Sequence, residues 1–373
     1  GLNWAEISLS AGDQAEAKQQ LIALNVPPKG DLAAVLLARR ANIVLPPTAA
    51  DEHAAKVQTA ALDTLAAQVA GQPKLARAAA LRLAHAKRAE EALSLAPGAA
   101  LKALLLVRSG RAGEARPLLA QLAKNPTPGS DEVRSVHAVL RALRGLPSPE
   151  ERQAMHFLGP VNAPSKALEI LNQAKASGCR SAVLRGLALE SLGRVAGAAQ
   201  AYGKETCSDA QTHLARVSMS THPAAARVRL ADVLADNPLH RLALDLTRRH
   251  TAVDAPEHAN ALARLVAWFP ADTEALRSAL TALERDKNWP RAHALADRSL
   301  NTAYNDKVHL IALRYLALAG ANNPASPRHS ELLHRLRWLT ARRPDLVGAA
   351  ALLNTVESGQ PVDTGLGEAT SSR

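Results

Sequence analysis

The sequence predicts an all-α chain of stacked antiparallel helical hairpins, and three observations carry that prediction. Alanine and leucine supply most of the 47% apolar fraction, while Phe, Trp and Tyr together make up 2%. Apolar residues recur at helical spacing almost from end to end. A unit of about thirty residues repeats, with a helix breaker between its two helical runs. A β-sandwich or barrel wants β-branched and aromatic side chains, so the composition argues against one. Ala and Leu are strong helix formers and allow helices to approach closely.

Taken in order, segment 1–25 carries a turn glycine, Gly12, followed by Ala17 and Leu21. Segments 49–70 and 72–96 are helical by pattern but fit the repeat poorly. In 98–124, Ala115, Leu118, Leu119 and Leu122 share one helical face, and Gly110 sits where a tight turn needs positive φ. Asn125-Pro126 then stops the helix, because proline lacks a donor and biases the preceding residue away from α. The prolines of 146–164 interrupt the period and predict a short extra helix. The unit returns in 181–204 with Gly193, Ala198 and Tyr202, and in 222–238 with Ala226, Leu230 and Asn237-Pro238. In 272–300 the turn falls on Asp286-Lys287-Asn288, followed by Ala292 and Ala296. The Gly, Ser and Thr of 357–373, with no apolar period, predict a disordered tail.

A small residue in the first helix, glycine at the turn, alanine in the second helix and proline after it resemble the tetratricopeptide repeat. The spacings from Ala198 to Ala226, His258 and Ala292 are 28, 32 and 34 residues, so the repeats are degenerate. His258 stands where the pattern has alanine, and Leu280 replaces the small residue of a first helix. The resemblance implies a right-handed superhelix, an α-solenoid of about ten hairpins. Repeats over 1–145 and 165–356 flank the irregular insertion 146–164. Because Gly12 leaves residues 1–11 barely one helix and no polar cap, the expectation is a fragment or processed form of a longer protein.

Motifs for catalysis are missing from the sequence: there is no glycine-rich phosphate loop after a strand, no HExxH and no nucleophile elbow. His329 and His334 are five apart, so they do not share a metal-binding helix face. The expectation is a non-catalytic chain with no cofactor and no metal. No apolar run is long enough to cross a membrane.

Cys179 and Cys207 fall near the start of one helix and the end of its partner, at one end of a hairpin. A bridge needs Cα atoms within about 7 Å, whereas packed helix axes stand about 8–10 Å apart. The sequence reading therefore prefers two small apolar residues to a disulfide.

The net charge is +11, with 45 Lys and Arg against 34 Asp and Glu. Of the basic residues 12 are Lys, leaving 33 Arg, a bias that GC-rich coding also produces. Basic segments lie at 74–88, 241–250 and 327–343. Single-strand binders interleave aromatics with such residues, and nine aromatics are too few for one per repeat, which disfavours nucleic acid.

The resemblance implies a scaffold whose concave groove takes a protein or peptide. An acidic or C-terminal carboxylate segment would meet arginines on first helices, for which Arg108, Arg141, Arg185 and Arg248 are the candidates. Trp268 and Trp338 are candidate apolar anchors. Two other readings stand beside it: the repeat arm of a bacterial envelope or polysaccharide-secretion protein or glycosyltransferase, and a basic RNA-binding repeat protein. The compartment, cytoplasmic or periplasmic, and the oligomeric state are open at this stage.

Overall fold

A computed structural model describes residues 73–362, apart from 86, 175, 176, 303 and 304. The expected hairpin around Gly12, the helical segment 49–70 and residues 363–373 of the expected tail lie outside the described residues. The chain divides into two compact units, Gly1–Pro97 and Gly98–Arg373. Among the described residues every regular element is helical.

In the first unit, α1 (Pro73–His85) and α2 (Ala89–Leu95) form a hairpin. It turns at Lys87, whose φ is +62°, and buries Ala79, Ala80, Leu83 and Ala92.

The second unit opens with the hairpin α3 (Ala99–Arg108) and α4 (Ala112–Leu122), followed by α5 (Ser130–Leu143), which packs back on α3. The chain then builds an α-solenoid. Its paired helices are α6 (Pro149–Leu158) with α7 (Pro164–Gln173), and α8 (Cys179–Ser191) with α9 (Val195–Gly203). Next come α10 (Ser208–Ser218) with α11 (Pro223–Asp236), and α12 (Arg241–His250) with α13 (Pro256–Trp268). The last regular pair is α14 (Thr273–Arg285) with α15 (Trp289–Thr302). α16 (Asp306–Leu316) runs into a π turn at Ala317–Ala321, and α17 (His329–Arg342) and α18 (Val347–Glu357) close the series. From α8 onward each second helix packs against the following first helix, and first helices touch one another along the stack.

The short helix expected in 146–164 is α6, and it belongs to a hairpin with α7. Its start is sharply defined. The Ser148 hydroxyl accepts from the Glu151 N–H at 3.1 Å, and the Glu151 carboxylate accepts from the Ser148 N–H at 2.9 Å. This reciprocal pair satisfies two of the four orphan donors of a helix start, and Pro149 tolerates the first turn.

A single register runs through the second helices. Each buries an alanine and the residue one turn on: Ala115 and Leu119, Ala167 and Leu171, Ala198 and Tyr202, Ala226 and Leu230, Ala261 and Leu265, Ala292 and Ala296. The alanine of α13 is thus Ala261, not position 258 as the spacing suggested. Pro256 opens that helix and leaves His258 in its first turn, only half-buried, about one turn before the packing position. The tightest approach is at Gly186 in α8, where a Cβ would lie 2.1 Å from Cε1 of Tyr202. Mid-helix glycine costs roughly 0.5–1 kcal/mol against alanine, and here the ring leaves no room for anything larger.

The cysteines contradict the expectation of two separate thiols. Cys179 and Cys207 form a disulfide, with Cα atoms 6.1 Å apart. Cys207 does not end α9; it is the extended residue that caps α10, so the bridge joins the starts of two successive first helices. The spacing of helix axes does not set the distance between the cysteines. Facing Cα atoms, each on a cylinder of radius about 2.3 Å, are nearer than their axes by twice that radius. By the loop-closure argument, a bridge spanning 28 residues stabilises the fold by about 3–4 kcal/mol.

After α5 the chain folds back, so that residues 98–145 form an arm lying across the loop edge of the solenoid. Arg180, at the start of α8, donates to the carbonyls of Arg144 and Gly145 at 2.7 and 2.9 Å. Arg144 pairs with Asp209 of α10 at 3.1 Å, and Arg116 with Asp236 at 2.6 Å. Further along, His137 Nε2 donates to the Trp268 carbonyl at 2.6 Å, and its ring stacks on Phe269 at 5.2 Å. Arg298 of α15 donates to the Pro126, Pro128 and Ala267 carbonyls at 2.8, 3.2 and 3.0 Å.

Gly186→Ala should destabilise the protein by about 1–3 kcal/mol, the usual range for overpacking, read as a lower urea midpoint. Adding Tyr202→Leu, which removes the clashing ring, should recover part of the loss. A midpoint unmoved by Gly186→Ala contradicts the close approach of α8 and α9.

Candidate partner-binding site

The first helices are tied to one another by polar side chains, because their exposed flanks hold the polar positions of an amphipathic pattern. Glu190 of α8 accepts from Arg216 of α10 at 2.6 and 2.7 Å and also accepts the Tyr202 hydroxyl proton. His213 of α10 stacks on the Tyr202 ring at 5.2 Å. In α12, Asp245 accepts from Arg248 at 2.8 Å, and Arg248 reaches Ser278 of α14 at 3.2 Å. The Thr281 and Tyr315 hydroxyls bridge α14 and α16 at 2.9 Å.

Titration follows from these contacts. Burial pushes the Tyr202 phenol well above its ordinary range, and the Glu190 carboxylate adds to the effect. Burial also holds the His213 imidazole below its ordinary value, with Arg216 pressing the same way. For Asp209, burial works upward, but the His240 hydrogen bond at 2.7 Å and the Arg144 guanidinium outweigh it and hold the carboxyl low.

The structure does not bring the candidate arginines into one row. Arg108 and Arg141 are exposed, and both lie on the arm. Arg185 is half-buried and donates to the Leu171 carbonyl at 2.9 Å. The Arg248 side chain is 12% exposed and held by Asp245 and Ser278. Arg185 and Arg248 therefore serve the stack itself. Trp268 is fully buried, so it packs the core and presents no surface to a partner.

Trp338 differs: it is 47% exposed. It lies in α17 on an open cavity of about 420 Å³ walled by Leu300 of α15, His309 and Leu313 of α16, and Glu331, His334, Arg335 and Leu339 of α17. Arg342 sits over the indole face, 5.0 Å from the ring centroid. Arg335 is paired with Glu331 at 2.9 Å, while the nearest carboxylate to Arg342 is that of Asp306 at 3.8 Å. The apolar floor, with the Glu331–Arg335 pair and Arg342 beside it, suits an apolar side chain inserted from a partner. Leu300 and His309 were missed in the sequence because they lie far along the chain from Trp338. The tertiary packing of α15 and α16 against α17 is what brings them together. Among the described residues no group of three or more His, Cys, Asp or Glu is placed to hold a metal ion. No protein-family model, no curated protein and no solved structure matches the chain.

His213 and His137 both have folded-state pKa values lowered by burial from the ordinary 6.5. A depressed imidazole binds fewer protons folded than unfolded. Stability is therefore full above about pH 6.5 and is lost as pH falls through the folded-state values. The urea midpoint should drop between pH 7 and pH 5, and His137→Gln with His213→Gln should flatten that drop. An unchanged pH dependence in the double variant contradicts the assignment.

Proposed function

We propose that this chain is a non-catalytic interaction scaffold, a tetratricopeptide-like stack that docks a peptide segment of a protein partner at Trp338. One observation carries the reading: a half-exposed tryptophan on an open apolar cavity, beneath an arginine whose nearest carboxylate is 3.8 Å away. Half-exposed aromatics in pockets are the usual anchors of protein recognition. The partner segment inserts an apolar side chain against Trp338 and Leu313, and an acidic flank meets Arg342. This moves the acidic-peptide site from the expected groove arginines to the C-terminal hairpins. Arg216, Arg241 and Arg248 are engaged by Glu190, Asp272 and Asp245, which lowers their value for phosphate and weighs against the RNA reading.

A second reading rests on the disulfide. Disulfides persist in oxidising compartments, which supports the chain being the repeat arm of an exported bacterial envelope or secretion protein. Protein directed to such a compartment should be recovered bridged, and recovery with free thiols from there would remove this support.

Panning a random peptide library against the full chain should enrich peptides combining an apolar anchor with Asp or Glu. Trp338→Ala should weaken the best of them by roughly 30-fold, the scale of a 2 kcal/mol hot spot, and Arg108→Ala with Arg141→Ala should not. Equal binding to the Trp338 variant would move recognition elsewhere.

A further inference from the structure

We infer that the arm formed by residues 98–145 is a latch on the loop edge of the solenoid, held shut by the Cys179–Cys207 bridge and released by a dithiol reductant.

The contacts at the end of the arm converge on the two bridged helix starts. Arg180, which donates to the carbonyls of residues 144 and 145, is the neighbour of Cys179. Asp209, which accepts from Arg144, is two residues beyond Cys207. The C-terminal end of α5 thus meets the N-terminal ends of α8 and α10. That arrangement exists only while the two helix starts stand side by side, which is what the bridge enforces. Beyond that end, His137 stacks on Phe269 and bonds the Trp268 carbonyl, Arg116 pairs with Asp236, and Arg298 bonds the Pro126 and Pro128 carbonyls.

The far ends of α8 and α10 have a tie of their own, the Glu190–Arg216 pair. Ala198, Tyr202 and Ala210 stay buried between the hairpins. Loss of the bridge therefore lets the helix starts separate without dismantling the pair. The chemistry balances as two-electron exchange. A reductant thiolate attacks one cysteine sulfur, giving a mixed disulfide and expelling the other cysteine thiolate. The second reductant thiolate then displaces the remaining cysteine. The protein is left with two thiols and the reductant with one disulfide. Both cysteines are half-buried rather than enclosed. Opening uncovers Phe269, which the closed arm covers with His137.

Hydrogen–deuterium exchange of the full chain tests this, with dithiothreitol as the reductant. On reduction, amides of α5 and of residues 268–272 should exchange at least tenfold faster, while those of α9 and α11 keep their protection. Cys179→Ser with Cys207→Ser should show the fast pattern with or without dithiothreitol. Arg180→Ala should reproduce it in bridged protein, which separates the latch from a general effect of the bridge on stability. Unchanged exchange of α5 on reduction overturns the inference, and so does an equal acceleration across α8–α15, because the bridge would then hold the whole stack. The readout is independent of docking at Trp338.

Discussion

The small residue buried in each second helix is the constraint on which the rest of the structure depends. A chain with so few aromatics fills its interior with alanine and leucine, and alanine fills space only if backbones come close. Ala167, Ala198, Ala226, Ala261 and Ala292 let successive hairpins approach to that distance. No hairpin can bury such a face alone, so the stack itself is the core. Where something large is needed, it takes its room from the opposite helix, as Tyr202 does over Gly186. The cavity at Trp338 opens where this register lapses. The π turn that follows α16 kinks at Gly320, whose φ is +100°, and α17 buries Leu332, Leu336 and Leu339 in place of the alanine pair.

The same stacking lines up the helix starts along one edge, and the edge is polar for a physical reason. Every start exposes amides that need acceptors. His240 and Asp272 accept from the N–H groups of Ala243 and Ala275, while Asp209 and Arg241 carry the bonding sideways to the next hairpin. Such an edge is a natural seat for the end of another helix, and α5 occupies it.

Much of the fold was legible in the sequence. Gly110 and Gly193, placed at turns by pattern, have φ of +82° and +72°, and Ala115, Ala198, Ala226 and Ala292 lie at the buried positions assigned to them. The errors have two causes. Periodicity locates a helix face but not its ends, so a one-turn slip put His258 in the place of Ala261, whereas the disulfide was disfavoured by setting the spacing of helix axes against a limit on Cα atoms, which stand 6.1 Å apart. The site was less legible. Arg185 and Arg248 sit on the expected helices, but nothing local announces the carbonyl and the carboxylate that hold them. Trp268 and Trp338 are equally prominent in the sequence, and only tertiary packing buries one and leaves the other on a cavity. The folded-back arm rests on contacts between residues more than a hundred positions apart, such as His137 with Trp268 and Arg298 with Pro126, which no local pattern carries.

The stacking register is tested most directly by peptide mapping of unreduced protein with a count of free thiols. Cys207 can reach Cys179 only if the start of α10 stands beside the start of α8, as the alanine spacing of α7, α9 and α11 requires. The account predicts one linked peptide pair containing Cys179 and Cys207 and no free thiol. Two free thiols in protein purified without reductant, folded and helical, would contradict it.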